Sequence, residues 1–128
     1  MTSFLERAPA FFDERAAIHR AWRHHLHRNP EVAFEERDTA AFLAARLDEM
    51  GLQTRQGFAG TGLVASLHGK RSGPKIGFRA DMDALPLNEQ SSLPYRSTRA
   101  GATHACGHDG HMAMLLAAAD YLSRQEDF

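Results

Sequence analysis

The densest concentration of reactive side chains is Thr103-His104-Ala105-Cys106-Gly107-His108-Asp109-Gly110-His111, which holds the only cysteine and three of the eight histidines. A thiolate and an imidazole suit Zn²⁺ and ions of similar softness. Gly107 and Gly110 permit the irregular backbone that would let Cys106 and His108 reach one ion. A polar loop with a chance run of histidines and a buried cysteine would look the same, so spacing alone leaves both readings open. A second cluster, Arg79-Ala80-Asp81-Met82-Asp83-Ala84-Leu85-Pro86, places two carboxylates just after a predicted strand, a common site for chemistry in α/β folds. Asp83 could fix a ligating histidine through its second ring nitrogen, or both aspartates could cap local backbone N–H groups. Arg79 could neutralise them or form a surface ion pair of small value. The third cluster, His24-His25-Leu26-His27-Arg28-Asn29-Pro30-Glu31, puts three histidines near a helix end. Adjacent helical residues face different directions, and helix C-termini favour basic groups, so a structural role is preferred there.

The elements that must position these clusters follow from periodicity. Ile18, Trp22 and Leu26 form one stripe of a helix over about 10–27, ended by Asn29-Pro30. A second helix over about 35–50 carries Phe42, Leu43, Leu47 and Met50, with Gly51 as its C-cap. A short strand is expected over 52–56. Residues 62–68 alternate in hydrophobicity, 69–74 are dense in turn formers, and 75–80 read as the returning strand of a hairpin. Residues 81–103 read as loop. A last helix starts near Gly110, with Met114, Leu115, Ala118 and Leu122 on its apolar side. Helices, strands, loop and helix in this order indicate an α/β fold.

The 128 residues amount to one domain or part of one, 43% hydrophobic and 24% charged, as in ordinary globular chains. Lys+Arg 15 against Asp+Glu 16 leaves a net charge of −1, without the basic footprint of a nucleic-acid or anionic-membrane binder. One cysteine excludes an intrachain disulfide and suits a reducing compartment. The longest apolar run, 112–119, is too short to span a bilayer. Residues 1–7 lack the basic start and apolar stretch of a secretory leader, so a cytoplasmic location is expected.

Taken together, the motifs containing His25-Leu26-His27-Arg28-Asn29-Pro30-Glu31 with Phe34-Glu35-Glu36, then Gly60-Thr61-Gly62-Leu63-Val64-Ala65, Arg79 to Pro86, and His104 to Met112 resemble the metal-dependent amidohydrolases. That family includes hippurate hydrolase, N-acyl-amino-acid amidohydrolases and the plant indole-acetyl-amino-acid hydrolases. The resemblance runs from about residue 16 to 119, with the motifs in the family's order. It implies the N-terminal portion of a zinc-peptidase-like catalytic domain, a mixed sheet with flanking helices. The inserted lid domain and the C-terminal half are expected to be absent from residues 1–128.

The resemblance further implies a pair of divalent metal ions (Zn, Mn, Co or Ni), with Cys106 and His108 as ligands and Cys106 bridging. Asp83 matches the catalytic-site aspartate that follows the third strand. More distant aminoacylases carry a ligand histidine where Asp81 stands, so Asp81 is not assigned as a ligand, and His104 and His111 receive no ligand role. The implied reaction is metal-assisted hydrolysis of the amide bond of a small N-acyl amino acid, with a glutamate moving the proton from water to the leaving amine. Because that glutamate and further ligands lie outside the matched motifs, the chain alone is expected to be inactive, and homo-oligomers are expected of longer family members. The alternatives are a small metal-binding module using Cys106 and His108, which needs at least a third ligand, and a cysteine nucleophile acting with His108 and Asp109.

Overall fold

A computed structural model describes residues 3–125; Met1 and Thr2, part of the segment read as leaderless, and Glu126 to Phe128 lie outside the described residues. The elements in chain order are α1 (Phe4–Arg28), α2 (Arg37–Glu49), β1 (Gln53–Phe58), β2 (Gly62–Ser66) and α3 (His108–Ser123). Helix α1 begins six residues before the expected start because Ser3 and Glu6 form a reciprocal capping box. The Ser3 hydroxyl accepts from the Glu6 N–H, and the Glu6 carboxylate accepts from the Ser3 N–H at 2.6 Å.

Helix α2 has no side-chain cap of its own at Glu36. Glu31, from the Asn-Pro-Glu motif, supplies one from outside: its carboxylate accepts from the N–H groups of Asp38 (3.1 Å) and Thr39 (2.7 Å) and from the Thr39 hydroxyl (2.6 Å). Burial opposes the charge on Glu31, but these bonds and Arg99 outweigh it and hold its pKa below the usual glutamate value. The motif therefore ends one helix and starts the next.

Helices α1 and α3 run antiparallel, since Arg7 meets Gln125, Arg15 meets Asp120 and Arg23 meets Asp109. The core lies between them and α2. Leu26, Leu43, Met112 and Leu116 are its buried centre, with Trp22, Phe42, Leu47, Met50, Leu63, Ala80 and Met82 packed around it. Each fully buried Leu or Met in such a core contributes about 1.5–3 kcal/mol relative to exposure.

Two expectations about faces are corrected. Ile18, at the far end of the expected α1 stripe, is exposed. On α3, Met114 is exposed, and the buried face is Asp109, Met112, Ala113, Leu116, Ala117, Asp120 and Tyr121. The stretch from Met112 to Ala119 is apolar all round, so periodicity does not select a face. The partners of Asp109 and Asp120 on α1 do.

The expected hairpin is also corrected. β2 pairs with β1, antiparallel, with Thr54 opposite Ala65 and a bulge between Gln56 and Phe58. The reversal is made by Ala59 and Gly60, both at positive φ, rather than by residues 69–74. A Cβ at position 62 would stand 2.7 Å from the Phe58 carbonyl oxygen, so the turn requires Gly62. Residues 75–80 form no ladder among the described residues. Two isolated bridges complete the β structure, Val32 with Ala84 (parallel) and Leu85 with Thr103 (antiparallel). The architecture is α/β. No helix among the described residues is long and apolar enough to cross a membrane.

Candidate metal centre

The two bridges place the chemistry. The Ala84 N–H bonds the Glu31 carbonyl at 2.7 Å, and Leu85 and Thr103 exchange N–H···O bonds of 2.9 and 3.1 Å. Asp83 is thereby held next to the segment that leads into α3. That helix starts after Gly107, whose φ of +87° is left-handed and strained for any other residue. The turn carries Cys106 on one side of Gly107 and His108 on the other. Cys106 is an exposed free thiol.

The hydrogen bonds of the His108 ring run to Asp83. The ring Nδ1 lies 2.9 Å from the Asp83 carbonyl oxygen and 3.1 Å from the carboxylate Oδ1. A carbonyl can only accept, so Nδ1 carries the proton. Nε2 is then the nitrogen with the lone pair, and its nearest charged neighbour is Asp81 Oδ2 at 4.0 Å. Such a carboxylate–histidine arrangement prepares an imidazole for a metal. Asp83 thus presents both its carbonyl and its carboxylate to the His108 ring. Asp81 also forms an ion pair with Arg79, which is largely exposed and of little energetic weight.

Thiol, imidazole and carboxylate donors around this turn suit a borderline divalent ion in kind. In number they fall short. Among the described residues no three His, Cys, Asp or Glu side chains gather as a metal-holding group, whereas a closed structural zinc site uses four. The small-module alternative therefore lacks its third ligand here. The nucleophile alternative also loses its third member, because Asp109 turns to His27 and Arg23, away from Cys106.

The histidines near the end of α1 are accounted for by packing and ion pairing. His24 stacks on Tyr95 with centroids 3.8 Å apart, and His25 stacks on Phe42 at 4.2 Å. His27 lies between two carboxylates, with Nδ1 2.8 Å from Asp109 and Nε2 3.0 Å from Glu89. Sequence reasoning gave no role to Glu89, whose partner His27 is 62 residues away, or to Glu31, which caps a helix from outside its N-cap position. It also left His104 unassigned. That ring is buried, both its nitrogens lack a hydrogen-bond partner among the described residues, and burial pushes its pKa below the ordinary histidine value. It lines an open cavity of about 420 Å³ with His27, Asn88, Glu89, Ser91 and Thr103.

A prediction arises directly. Asp83→Asn keeps the shape of the side chain but removes the charge that favours a donating Nδ1. Divalent-metal affinity should fall by roughly 10- to 100-fold, with the melting temperature little changed. A metal titration and a thermal melt on one sample check this; equal affinity would leave Asp83 a backbone cap.

Known proteins are similar to this chain in sequence and fold. Residues 77–128 match the family model described as Peptidase family M20/M25/M40. The chain is 50% identical over 103 residues to the hippurate hydrolase of Campylobacter jejuni, covering 80% of this chain and 27% of that protein. It is 48% identical over 105 residues to an N-acetyl-L-cysteine deacetylase of Bacillus subtilis, covering 82% and 25%. Among solved structures, it superposes with TM-score 0.82 and 35% identity on the Bacillus subtilis YXEP protein, described as a dinuclear metal binding peptidase from the M20 family, over 92% of this chain and 32% of that one. The chain thus spans about a quarter of the length of the curated relatives it matches. By sequence and by fold, the chain is similar to the N-terminal part of members of the M20 peptidase family.

Proposed function

We propose that residues 1–128 supply the N-terminal part of the catalytic domain of a metal-dependent amidohydrolase acting on small N-acyl amino acids. The observation that carries this reading is the clamp of Asp83 on His108 Nδ1, which leaves Nε2 free beside Asp81 and one residue of turn away from the Cys106 thiol. Cys106 and His108 would hold divalent metal. When bound, the metal supplies Lewis-acid polarisation of the scissile carbonyl and activation of water. The chain's own residues do the rest of the work visible here: Asp83 fixes the His108 tautomer, Gly107 sets the turn, and the α1–α3 packing keeps that turn in place. The specific substrate class draws support from three of the similar proteins, named hippurate hydrolase, N-acetyl-L-cysteine deacetylase and N-acyl-L-amino acid amidohydrolase.

The test is a graft. Residues 1–128 replace the matching segment of the Campylobacter jejuni hippurate hydrolase, and hippurate hydrolysis and metal content are measured. The graft should hydrolyse hippurate after divalent metal is added. Cys106→Ser and His108→Ala in the graft should each lower bound metal and nearly abolish turnover, since each removes a donor that sets the charge and geometry of the ion. Wild-type metal content and turnover in either variant overturn the assignment.

A further inference from the structure

His27 joins α1 to two further segments next to the candidate centre. It sits in the last turn of α1, nearly buried. Its Nδ1 bonds Asp109 in the first turn of α3 at 2.8 Å, and its Nε2 bonds Glu89 in the 85–103 connection at 3.0 Å. Both partners are carboxylates, one at each ring nitrogen. Glu89 is in turn fixed by the Ser91 hydroxyl and the Ser97 N–H, both at 2.5 Å. Partial burial works against its charge, but these three donors prevail and bring its carboxyl down to about 2, so it is ionised at neutral pH. Asp109 is fully buried and takes a further bond from Arg23 Nε at 3.3 Å. Burial opposes its charge as well, and His27, the Gly110 N–H and Arg23 overcome this and lower its pKa. The cluster thus joins two carboxylates, His27 and Arg23, leaves Asp109 Oδ1 without a hydrogen-bond partner among the described residues, and ends one residue from His108.

We propose that His27 is a positioning residue for the metal centre, acting through Asp109 and Glu89 to hold the turn that carries Cys106 and His108. The inference rests on the reading of Cys106 and His108 as metal donors. His108 is then braced twice. Asp83 sets its ring, and the Asp109–His27 bond sets the backbone of the helical turn from which the ring projects. A merely structural role would make His27 interchangeable with any other contact between α1 and α3. The cluster at Asp120, at the opposite end of the same helix pair, provides that comparison: it joins α1 to α3 through Arg15 and His19 without touching Asp109.

The experiment uses the 128-residue chain and its single thiol. Alkylation of Cys106 by iodoacetamide is followed by mass spectrometry against Zn²⁺ concentration, at a temperature where circular dichroism shows each variant folded. His27→Gln should raise the Zn²⁺ concentration for half-protection by at least about tenfold. Asp120→Asn, which loosens the same helix pair, should leave it near the wild-type value. Equal midpoints for His27→Gln and wild type, or an equal rise in Asp120→Asn, overturn the proposal. Should His27→Gln fail to fold, Glu89→Gln keeps the ring and weakens one of its two bonds; a raised midpoint supports the proposal and an unchanged one overturns it. Absence of Zn²⁺ protection in wild type would count against the metal reading, and positioning is then judged on the metal-free chain by hydrogen exchange at residues 107–111. Faster exchange there in His27→Gln than in Asp120→Asn supports it, and equal exchange overturns it.

Discussion

Replacing Asp120 with alanine should lower the stability of this chain by about 2–3 kcal/mol, the loss expected when several charge-assisted hydrogen bonds to a buried carboxylate are removed. Asp120 is 1% exposed and receives bonds from Arg15 Nε, His19 Nε2 (3.1 Å) and Arg124 Nε (2.9 Å). The three donors keep partial access to water, Arg124 most of all. They can be rehydrated when the carboxylate is lost, which keeps the cost below that of stranding a buried charge. Just beyond Asp120, Tyr121 is ringed by Phe4, Phe11 and Phe12, and its hydroxyl bonds the Phe4 carbonyl. Losing the Asp120 clamp therefore loosens the aromatic seam that joins the start of α1 to the end of α3.

The same residue sets a pH dependence. Burial works against the charge on Asp120, but bonds from His19, Arg124 and Arg15 prevail, and its folded-state pKa lies below the ordinary aspartate value. Its contribution is complete above the unfolded-state pKa and is lost as pH falls through that value toward the lower folded one. The gap in denaturation midpoint between wild type and Asp120→Ala should be full at neutral pH and close in acid. A gap independent of pH would show that packing, not the charge, holds this end of the helix pair.

Why some of this was legible in the sequence and some was not follows from the range of the interactions. The three helices were readable because their signals are local: the 3.6-residue spacing of Leu43 and Leu47, the Pro30 stop and the Gly51 cap. The reactive turn was readable because Cys106, Gly107 and His108 are adjacent. The His108–Asp83 clamp spans 25 residues and appeared only as one of two open roles for Asp83. Glu89 reaches His27 across 62 residues and Asp109 across 82, and no local pattern marks a carboxylate whose partner is that distant. The hairpin was misassigned because the Gly-rich stretch at 69–74 outweighs the two-residue Ala59–Gly60 reversal by composition. The positive φ of the non-glycine Ala59 is invisible without coordinates. The face of α3 was misassigned because an all-apolar helix gives periodicity nothing to act on.

Purified alone, the 128-residue chain should self-associate and hydrolyse neither hippurate nor related acyl amino acids. The physical cause lies in residues 75–80. Among the described residues, no backbone hydrogen bond joins that stretch to another backbone group. Ile76 and Phe78, which alternate along it, are 75% and 72% exposed. Unpaired backbone beside exposed apolar side chains is a template for another strand, and at preparative concentration a strand from a second copy is the one at hand. Chemistry should fail for a separate reason. Cys106 and His108 give two donors where a closed site needs four, and the glutamate that the family resemblance assigns to proton transfer is not among the motifs this chain carries. Metal should bind at micromolar affinity or weaker. Size-exclusion chromatography should show species larger than a monomer, growing with concentration. Ile76→Lys combined with Phe78→Lys should return the chain to a monomer by placing charge on the unpaired segment, without restoring hydrolysis. A monomer that melts cooperatively and cleaves an acyl amino acid once metal is added would refute both halves of the argument. Self-association unchanged in the double-lysine variant would move the sticky surface elsewhere, with Leu5, Phe34 and Met114 the next exposed apolar side chains to replace.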